Sequence, residues 1–372
     1  MPAPRRLAAK LQLLQAARDA RERTGKGVLQ QLREIAQLRL GPGTLKPADY
    51  YALGAFDDAV YPPGAKRELV SWSQSYLSER VNNRHWVALA SDKLNTYVML
   101  KGLGLPFPEL YALLHRRGRF FDGIPTLRSA EATATLLREG MRYPFFGKPL
   151  GRSFGIGAAS VDGYNASTDR LQMATGEAVA VEEYVKQIAR FAGYLFQRRV
   201  APHPAIRAIC GDRLGTVRMV VLYGEDGPRL FRCTWKTPVG RNITDHAIGR
   251  SGNLKAWVDP ASGRVERVLQ GLTEDDPEIY GLGRLGRETA VHPDSQAPVL
   301  GITLPDWDEA VALCLRAASA FPGLRYQSWD VAMTDEGPTL LELNSAGGVA
   351  QMPGCKGFCD AELRAFLTRF SS

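Results

Sequence analysis

The sequence predicts an α+β protein. Amphipathic helical spacing dominates the first ninety residues, and beyond them apolar, strand-like runs are mixed with helices. Several of those runs are joined as antiparallel hairpins by short turn segments, not by the helical crossovers of repeated βαβ units, so a doubly wound parallel sheet is excluded. At 372 residues the chain exceeds one ordinary domain, and two or three subdomains are expected.

Leu7, Leu11 and Leu14, then Val28, Leu32 and Ile35, recur at helical spacing. Thr24-Gly25-Lys26-Gly27 divides them into two helices, and Gly41-Pro42-Gly43 ends the second. Residues 47–90, rich in Tyr and Trp, read as further helix. SDKLNTYVMLKGLG is a helix with Ser91 as its N-cap, LPFPELYALL a strand, 118–130 a loop and 129–139 a helix. YPFFGKPL and ASVDGY are strands on either side of the glycine-rich turn GRSFGIGA, and AVAVEEYV reads as an apolar strand ending in two acids and Tyr184. GTVRMVVLYG, GPRLFRCTWK and LKAWVD are three more strands; a turn at Pro260 to Gly263 and the run RVERVLQ follow. A proline- and glycine-rich connection at 271–305 leads to the helix WDEAVALCLRAASAFP and a closing hairpin.

That hairpin, GLRYQSWDVAMTDEGPTLLELNSAGG, carries the most chemistry. Folding it about Glu336 or Gly337 places Asp330 opposite Glu342 and Asn344, and the last two, separated by two residues, share a face of their strand. Three hard oxygen ligands on one face suit a Mg²⁺ ion carrying nucleotide phosphates, although polar–apolar alternation also describes an ordinary half-buried hairpin. Lys148 ends a strand and is followed by Gly151-Arg152-Ser153-Phe154-Gly155-Ile156-Gly157, where glycines let backbone amides approach phosphate oxygens. No Gly-Lys-Ser/Thr opens a helix there, so it is not the strand–loop–helix phosphate loop. Arg218, inside the apolar strand TVRMVV, is costly to bury unpaired and faces either an anionic ligand or a core acid. Arg241, Arg250 and Arg284 lie in loops that bind an anion or are simply solvated. His246 and His292 lie in glycine- or proline-rich loops within reach of an acceptor site.

Apolar residues make up 45% and charged residues 23%, an ordinary globular composition with no apolar run long enough for a transmembrane helix. The N-terminus lacks an apolar signal core, which argues for a cytoplasmic protein. Cys210, Cys233, Cys314, Cys355 and Cys359 are scattered and odd in number, so free thiols are expected and a zinc site is not. The net charge of +8 is concentrated in residues 1–39, which hold a balance of +6. Such a basic pair of helices can dock on an anionic membrane or another protein, or stand solvated. The body, with bases and acids interspersed, is not a nucleic-acid binder.

In order along the chain, DK…GLPFPE, FFGKP, GRSFGIG, VEEYV, TVRMVV and WDVAM…LLELN resemble the motifs of the ATP-grasp superfamily from about Ser91 to Ala350. DYYALGAF, LKAWVDPASGRV, LGITLPDWDEAV and SWDVAMTDEGPTLLELN narrow the resemblance to the sugar-transfer-associated branch, which is related to α-L-glutamate ligases. The resemblance implies an ATP-grasp fold of two α+β subdomains at 91–183 and 184–372, preceded by a helical region at 1–90. It implies ATP and one or two Mg²⁺ ions as cofactors. Lys93 and Lys148 are then expected at the α- and β-phosphates, and Gly151 to Gly157 as a lid. The backbone of Glu182 and Val185 is expected as an adenine hinge, with Glu183 and Tyr184 beside it. Arg218 is expected to face the γ-phosphate, with Asn242 near the phosphates, and Asp330, Glu342 and Asn344 to hold Mg²⁺. The family's ribose-binding carboxylate has no counterpart past the hinge; Gln187 is the nearest polar residue.

The activity so implied is a carboxylate–amine ligase. It forms a C–N bond through an acyl-phosphate, releasing ADP and phosphate, on a small carboxylate and an amine in polysaccharide, glycoconjugate or secondary-metabolite biosynthesis. Two alternatives stay open: a small-molecule kinase on the same scaffold, and a nucleotide-binding docking protein. The first ninety residues replace the α/β substrate domain of many relatives, so substrate residues do not transfer.

Overall fold

The computed structural model describes residues 3–71, 75–119, 121, 123–151, 155–245, 251–272, 286–345 and 350–371. Two seven-stranded sheets form its body. The first is built from β1 (Leu110–Leu114), β2 (Thr126–Leu127), β3 (Phe145–Pro149), β4 (Ala159–Asn165), β5 (Arg170–Met173), β6 (Ala178–Ala180) and β7 (Tyr194–Arg198), in the order β2-β1-β7-β3-β4-β5-β6. The second holds β8 (Thr216–Gly224), β9 (Gly227–Thr237), β10 (Leu254–Val258), β11 (Val265–Gln270), β12 (Arg287–Glu288), β13 (Tyr326–Thr334) and β14 (Gly337–Asn344), in the order β12-β11-β10-β9-β8-β13-β14. Every pairing is antiparallel except β1 with β2.

Alternation divides the second sheet into two faces. Val217, Met219, Val221, Cys233, Trp235, Trp329 and Val331 point into a core closed by the helix Trp307–Ala318. The residues between them form a polar face, developed below. The helix is amphipathic in the usual way, burying Trp307, Ala310, Leu313, Cys314 and Ala317.

Two element readings need correction. Val181–Ile188 is a helix, not a strand end: Val181, Tyr184, Val185 and Ile188 are buried at helical spacing, and Glu182 and Glu183 occupy the favourable first turn. The helix beginning at Lys93 is capped by Asp92, whose carboxylate accepts from the amides of Leu94 and Asn95; Ser91 instead ends the preceding helix. The first sheet also runs past the expected boundary at 183/184. Its strand β7 lies between β1 and β3, and the chain passes to the second sheet only after Arg198.

The N-terminal region is helical, as expected, in Ala3–Thr24, Val28–Leu40, Pro47–Ala52 and three short helices to Ser91. Ala16, Ala17 and Ala20 let the first helix pack closely on Ile35, Leu38, Tyr50, Tyr51 and Phe56. At its centre Lys26 bonds Glu34 (2.7 Å) and Asp58 (2.8 Å), Lys66 bonds Glu34 (3.3 Å) and Asp58, and Tyr50 donates to Glu34 (2.7 Å). The region is fused to the body. Gln351 exchanges two hydrogen bonds with the Val70 backbone, and Asn82 bonds the backbone of Tyr326 and Ser345. All five cysteines are free thiols. No helix among the described residues is long and apolar enough to cross a membrane.

Both ammonium groups are buried, so removing their shared carboxylate strands two charges on Asp58 alone. Glu34→Ala is expected to destabilise the protein by roughly 3 kcal/mol, read from urea unfolding by circular dichroism; a loss well under 1 kcal/mol would show that the quartet is not a structural anchor.

Candidate active site

The closing hairpin folds as its sequence indicated. Thr334 pairs with Gly337 at the turn, Asp330 with Glu342, and Ser328 with Asn344. On the other side of β13, Asp330 pairs with Arg218 of β8. One row across three strands therefore carries Glu342, Asp330 and Arg218 on the same face. The guanidinium of Arg218 grips Asp330 with two bonds, Nε–Oδ1 at 2.7 Å and Nη2–Oδ2 at 3.0 Å. Lys236, on β9, adds a contact to Asp330 at 3.3 Å, and the Asn344 amide approaches it at 3.5 Å. Burial works against the charge of Asp330, yet Arg218 and Lys236 outweigh it and hold the carboxyl down at about 2. Of the two alternatives open to Arg218, the structure shows the core acid, and that acid belongs to the proposed metal set.

The first sheet supplies the opposite wall. Lys148 on β3 reaches across to the Leu341 carbonyl (3.3 Å), and Lys93, at the start of its helix, contacts Glu342 (3.2 Å) and the Leu150 carbonyl (3.3 Å). Burial lowers the affinity of Lys148 for its proton, with Glu342 opposing and Lys93 adding to the shift. Both lysines converge on the strand that carries Glu342 and Asn344.

Asp330, Glu342 and Asn344 offer two carboxylates and an amide oxygen, a hard oxygen set that suits Mg²⁺ shared with phosphate oxygens. Among the described residues no three carboxylate, imidazole or thiolate side chains converge. The fit with Mg²⁺ is carried by the chemistry of the donors: each of the two carboxylates is now held by cations, Asp330 by Arg218 and Lys236 and Glu342 by Lys93.

The remaining expected residues fall into place unevenly. Gly155 and Gly157 have φ of +68° and +78°, and a Cβ on Gly155 would meet the Thr244 hydroxyl at 2.9 Å, so the glycine turn lies against a loop of the second sheet. Gly151 is described, whereas Arg152, Ser153 and Phe154 lie outside the described residues, as do His246, Arg250 and Arg284. Glu182 pairs with Arg138, Glu183 accepts from Gln187 one helical turn on, and the Val185 carbonyl accepts from Ala189. Tyr184 is buried against Tyr194. The hinge expected at Glu182 to Val185, with Gln187 beyond, thus falls within a helix and not on the extended segment that joins the two sheets. The backbone that crosses between the sheets is instead 199–203, directly after β7 and one strand from Lys148.

Asn242 spends both amide hydrogens inside its loop, on the Ser251 carbonyl and Asn253, each at 2.7 Å. It staples the loop and keeps no donor for a phosphate. His292 is fully buried on the Pro238 carbonyl (3.0 Å), and Arg241 bonds the Thr175 carbonyl.

Lys236, Asp245 and Lys255 were not anticipated. Asp245 accepts from the Thr216 amide (2.9 Å) and hydroxyl and faces Lys236 at 3.5 Å. The signal was present: a lysine inside GPRLFRCTWK or LKAWVD is the same anomaly that singled out Arg218.

A double-mutant cycle tests the Arg218–Asp330 grip. Asp330→Asn and Arg218→Met are each expected to cost about 3 kcal/mol in urea unfolding with chelator present. The double variant should lose less than their sum by at least 1 kcal/mol, and full additivity would show that the two charges do not depend on each other.

A family model described as sugar-transfer associated ATP-grasp matches residues 73–364. No curated protein matches the chain. Among solved structures, N5-carboxyaminoimidazole synthase from Aspergillus clavatus, in complex with ADP and an aminoimidazole ribonucleotide, is similar at 12% identity and TM-score 0.39, over 71% of this chain and 46% of that one. D-alanine–D-alanine ligase from Bacillus anthracis is similar at 10% identity and TM-score 0.42, over 80% and 74%. L-amino acid ligase from Bacillus licheniformis is similar at 12% identity and TM-score 0.38, over 75% and 48%. The chain spans less than half the length of the synthase and of the amino acid ligase. The family model covers both sheets and every residue of the cleft, and this chain belongs to the sugar-transfer associated ATP-grasp family.

Proposed function

We propose that the protein is an ATP- and Mg²⁺-dependent carboxylate–amine ligase working through an acyl-phosphate. The observation that carries this is the meeting of Lys93 and Lys148, from the first sheet's side, with Glu342, Asp330 and Arg218 of the second. ATP would lie between the sheets with its α- and β-phosphates at the two lysines. Mg²⁺ held by Asp330, Glu342 and Asn344 would neutralise the charge that shifts between the β- and γ-oxygens.

The chain's own residues supply position and charge. Arg218 and Lys236, which hold Asp330 here, would be the cations placed to face the transferring phosphoryl group. A carboxylate oxygen of the substrate attacks the γ-phosphorus, and the bond to the β-bridging oxygen breaks to free ADP. An amine then attacks the acyl carbon, the C–O bond to phosphate breaks, and the amine's proton leaves with phosphate or solvent. None of these steps needs a protein nucleophile. The five cysteines fit that: burial raises Cys210, Cys233, Cys314, Cys355 and Cys359 alike, keeping them as thiols.

Hydroxylamine stands in for the unknown amine. With Mg-ATP and pooled small carboxylates, including amino acids and uronic acids, wild type is expected to form hydroxamate. Glu342→Gln should lower turnover at least a hundredfold while leaving the circular dichroism spectrum unchanged. ADP and a phosphorylated product without hydroxamate would assign a kinase instead, and full activity in Glu342→Gln would sink the site assignment.

A further inference from the structure

Lys255 has no part in the phosphoryl-transfer reading, yet the fold brings it into the same row of charge. It is the second residue of β10, where Leu254, Ala256 and Val258 point into the core beneath the helix Trp307–Ala318, so Lys255 points to the opposite face. It is the cross-strand partner of Lys236 on β9, which is in turn the partner of Thr216 on β8, two residues from Arg218 on the same face. Three cations on three adjacent strands thus run away from Asp330. Lys255 is three strands from Asp330, about 14 Å of sheet. Its ammonium donates to the Gln351 carbonyl at 2.9 Å, which sets it beneath the C-terminal segment. On the same face the buried hydroxyl of Tyr326 has no hydrogen-bond partner among the described residues, and it lies near enough to Arg218 to feel its charge.

A carboxylate reacting beside Asp330 uses Arg218 and Lys236. An anion held by Lys255, one strand further from the metal, is therefore a separate group. Resting on the ligase reading above, we propose that Lys255 forms a subsite for a second anionic group of the acid substrate, a carboxylate or a phosphate-type group, so that the enzyme selects diacids over monoacids. Lys255 is then a specificity-determining residue. Its surroundings agree. Burial, then the charges of Arg218 on β8 and Lys236 on β9, hold the lysine down at about 7, against a smaller opposite pull from Cys355 of the C-terminal segment. Above pH 7 the amine is largely neutral, and an arriving anion must draw a proton onto it. Diacid binding is thus expected to take up a proton at pH 8 and to weaken as pH rises from 7.

The test is calorimetric titration of the full chain, saturated with Mg-ADP, with butyrate, glutarate and 4-phosphonobutyrate. One or both of the diacids should bind at least tenfold more tightly than butyrate. Lys255→Met should erase that ratio and the proton uptake at pH 8, Lys255→Arg should keep the ratio, and Mg-ADP affinity should be the same in all three proteins. Equal binding of monoacid and diacids, no diacid binding, or a ratio that survives in Lys255→Met would overturn the subsite alone. Failure of Mg-ADP to bind the wild type would overturn the nucleotide reading, and this inference with it.

Discussion

The carboxylate of Asp330 sits in a strand buried along its whole length, and it is the constraint around which the second sheet is arranged. A charge in that position is tolerable only with cations in bonding contact, because desolvating it alone costs several kcal/mol. Arg218 and Lys236 meet that demand from the next two strands of the sheet. Their own tethers follow from it. Lys236 also faces Asp245, and Asp245 is held by the Thr216 amide and hydroxyl, which fixes the loop after β9 against the start of β8. The polar face is therefore one connected set, in which moving any member exposes an unpaired charge.

The same logic explains why the first sheet stands where it does. Glu342 and the carbonyl of Leu341 draw Lys93 and Lys148 across the gap. The edge of β14 is further occupied by the Pro106 carbonyl, which accepts from the Leu340 amide. On the far side the loop after β9 touches the first sheet twice, through Thr244 against Gly155 and through Arg241 on the Thr175 carbonyl. Charge holds the cleft at its floor, and loop contacts close it at its rim. Between the two runs the single crossing segment 199–203.

What could be read from the sequence depended on whether a residue's neighbours along the chain betray its surroundings. The closing hairpin was legible because strand alternation and turn residues agree, and its register came out as Asp330 against Glu342. Arg218 was legible as a charge in an apolar strand. Lys236 and Lys255 carry the same mark more faintly, since each stands near a strand end where a lysine is ordinary. The segment VEEYV misled because its three apolar residues are compatible with a strand over five positions. Extended to Ile188, the spacing of Val181, Tyr184, Val185 and Ile188 is helical. Asn242 was invisible in another way: its amide is consumed by Ser251 and Asn253, nine and eleven residues away, and no local pattern records a loop folding back on itself.

The helical N-terminal region takes its meaning from what it covers. Gln351 bonds Val70, the Gly354 amide donates to the Tyr61 hydroxyl, and the Cys359 amide donates to the Glu68 carbonyl. These bonds pin the C-terminal segment over the polar face of the second sheet, where the Gln351 carbonyl receives Lys255. A backbone carbonyl can be placed over a cation with that accuracy only if the segment bearing it is held from behind, and the quartet of Glu34 and Asp58 with the buried Lys26 and Lys66 ties the holding surface together. The first ninety residues thus act on the polar face from behind the segment that covers it. They fix the segment that covers Lys255, two strands from Arg218 on the same face of the sheet.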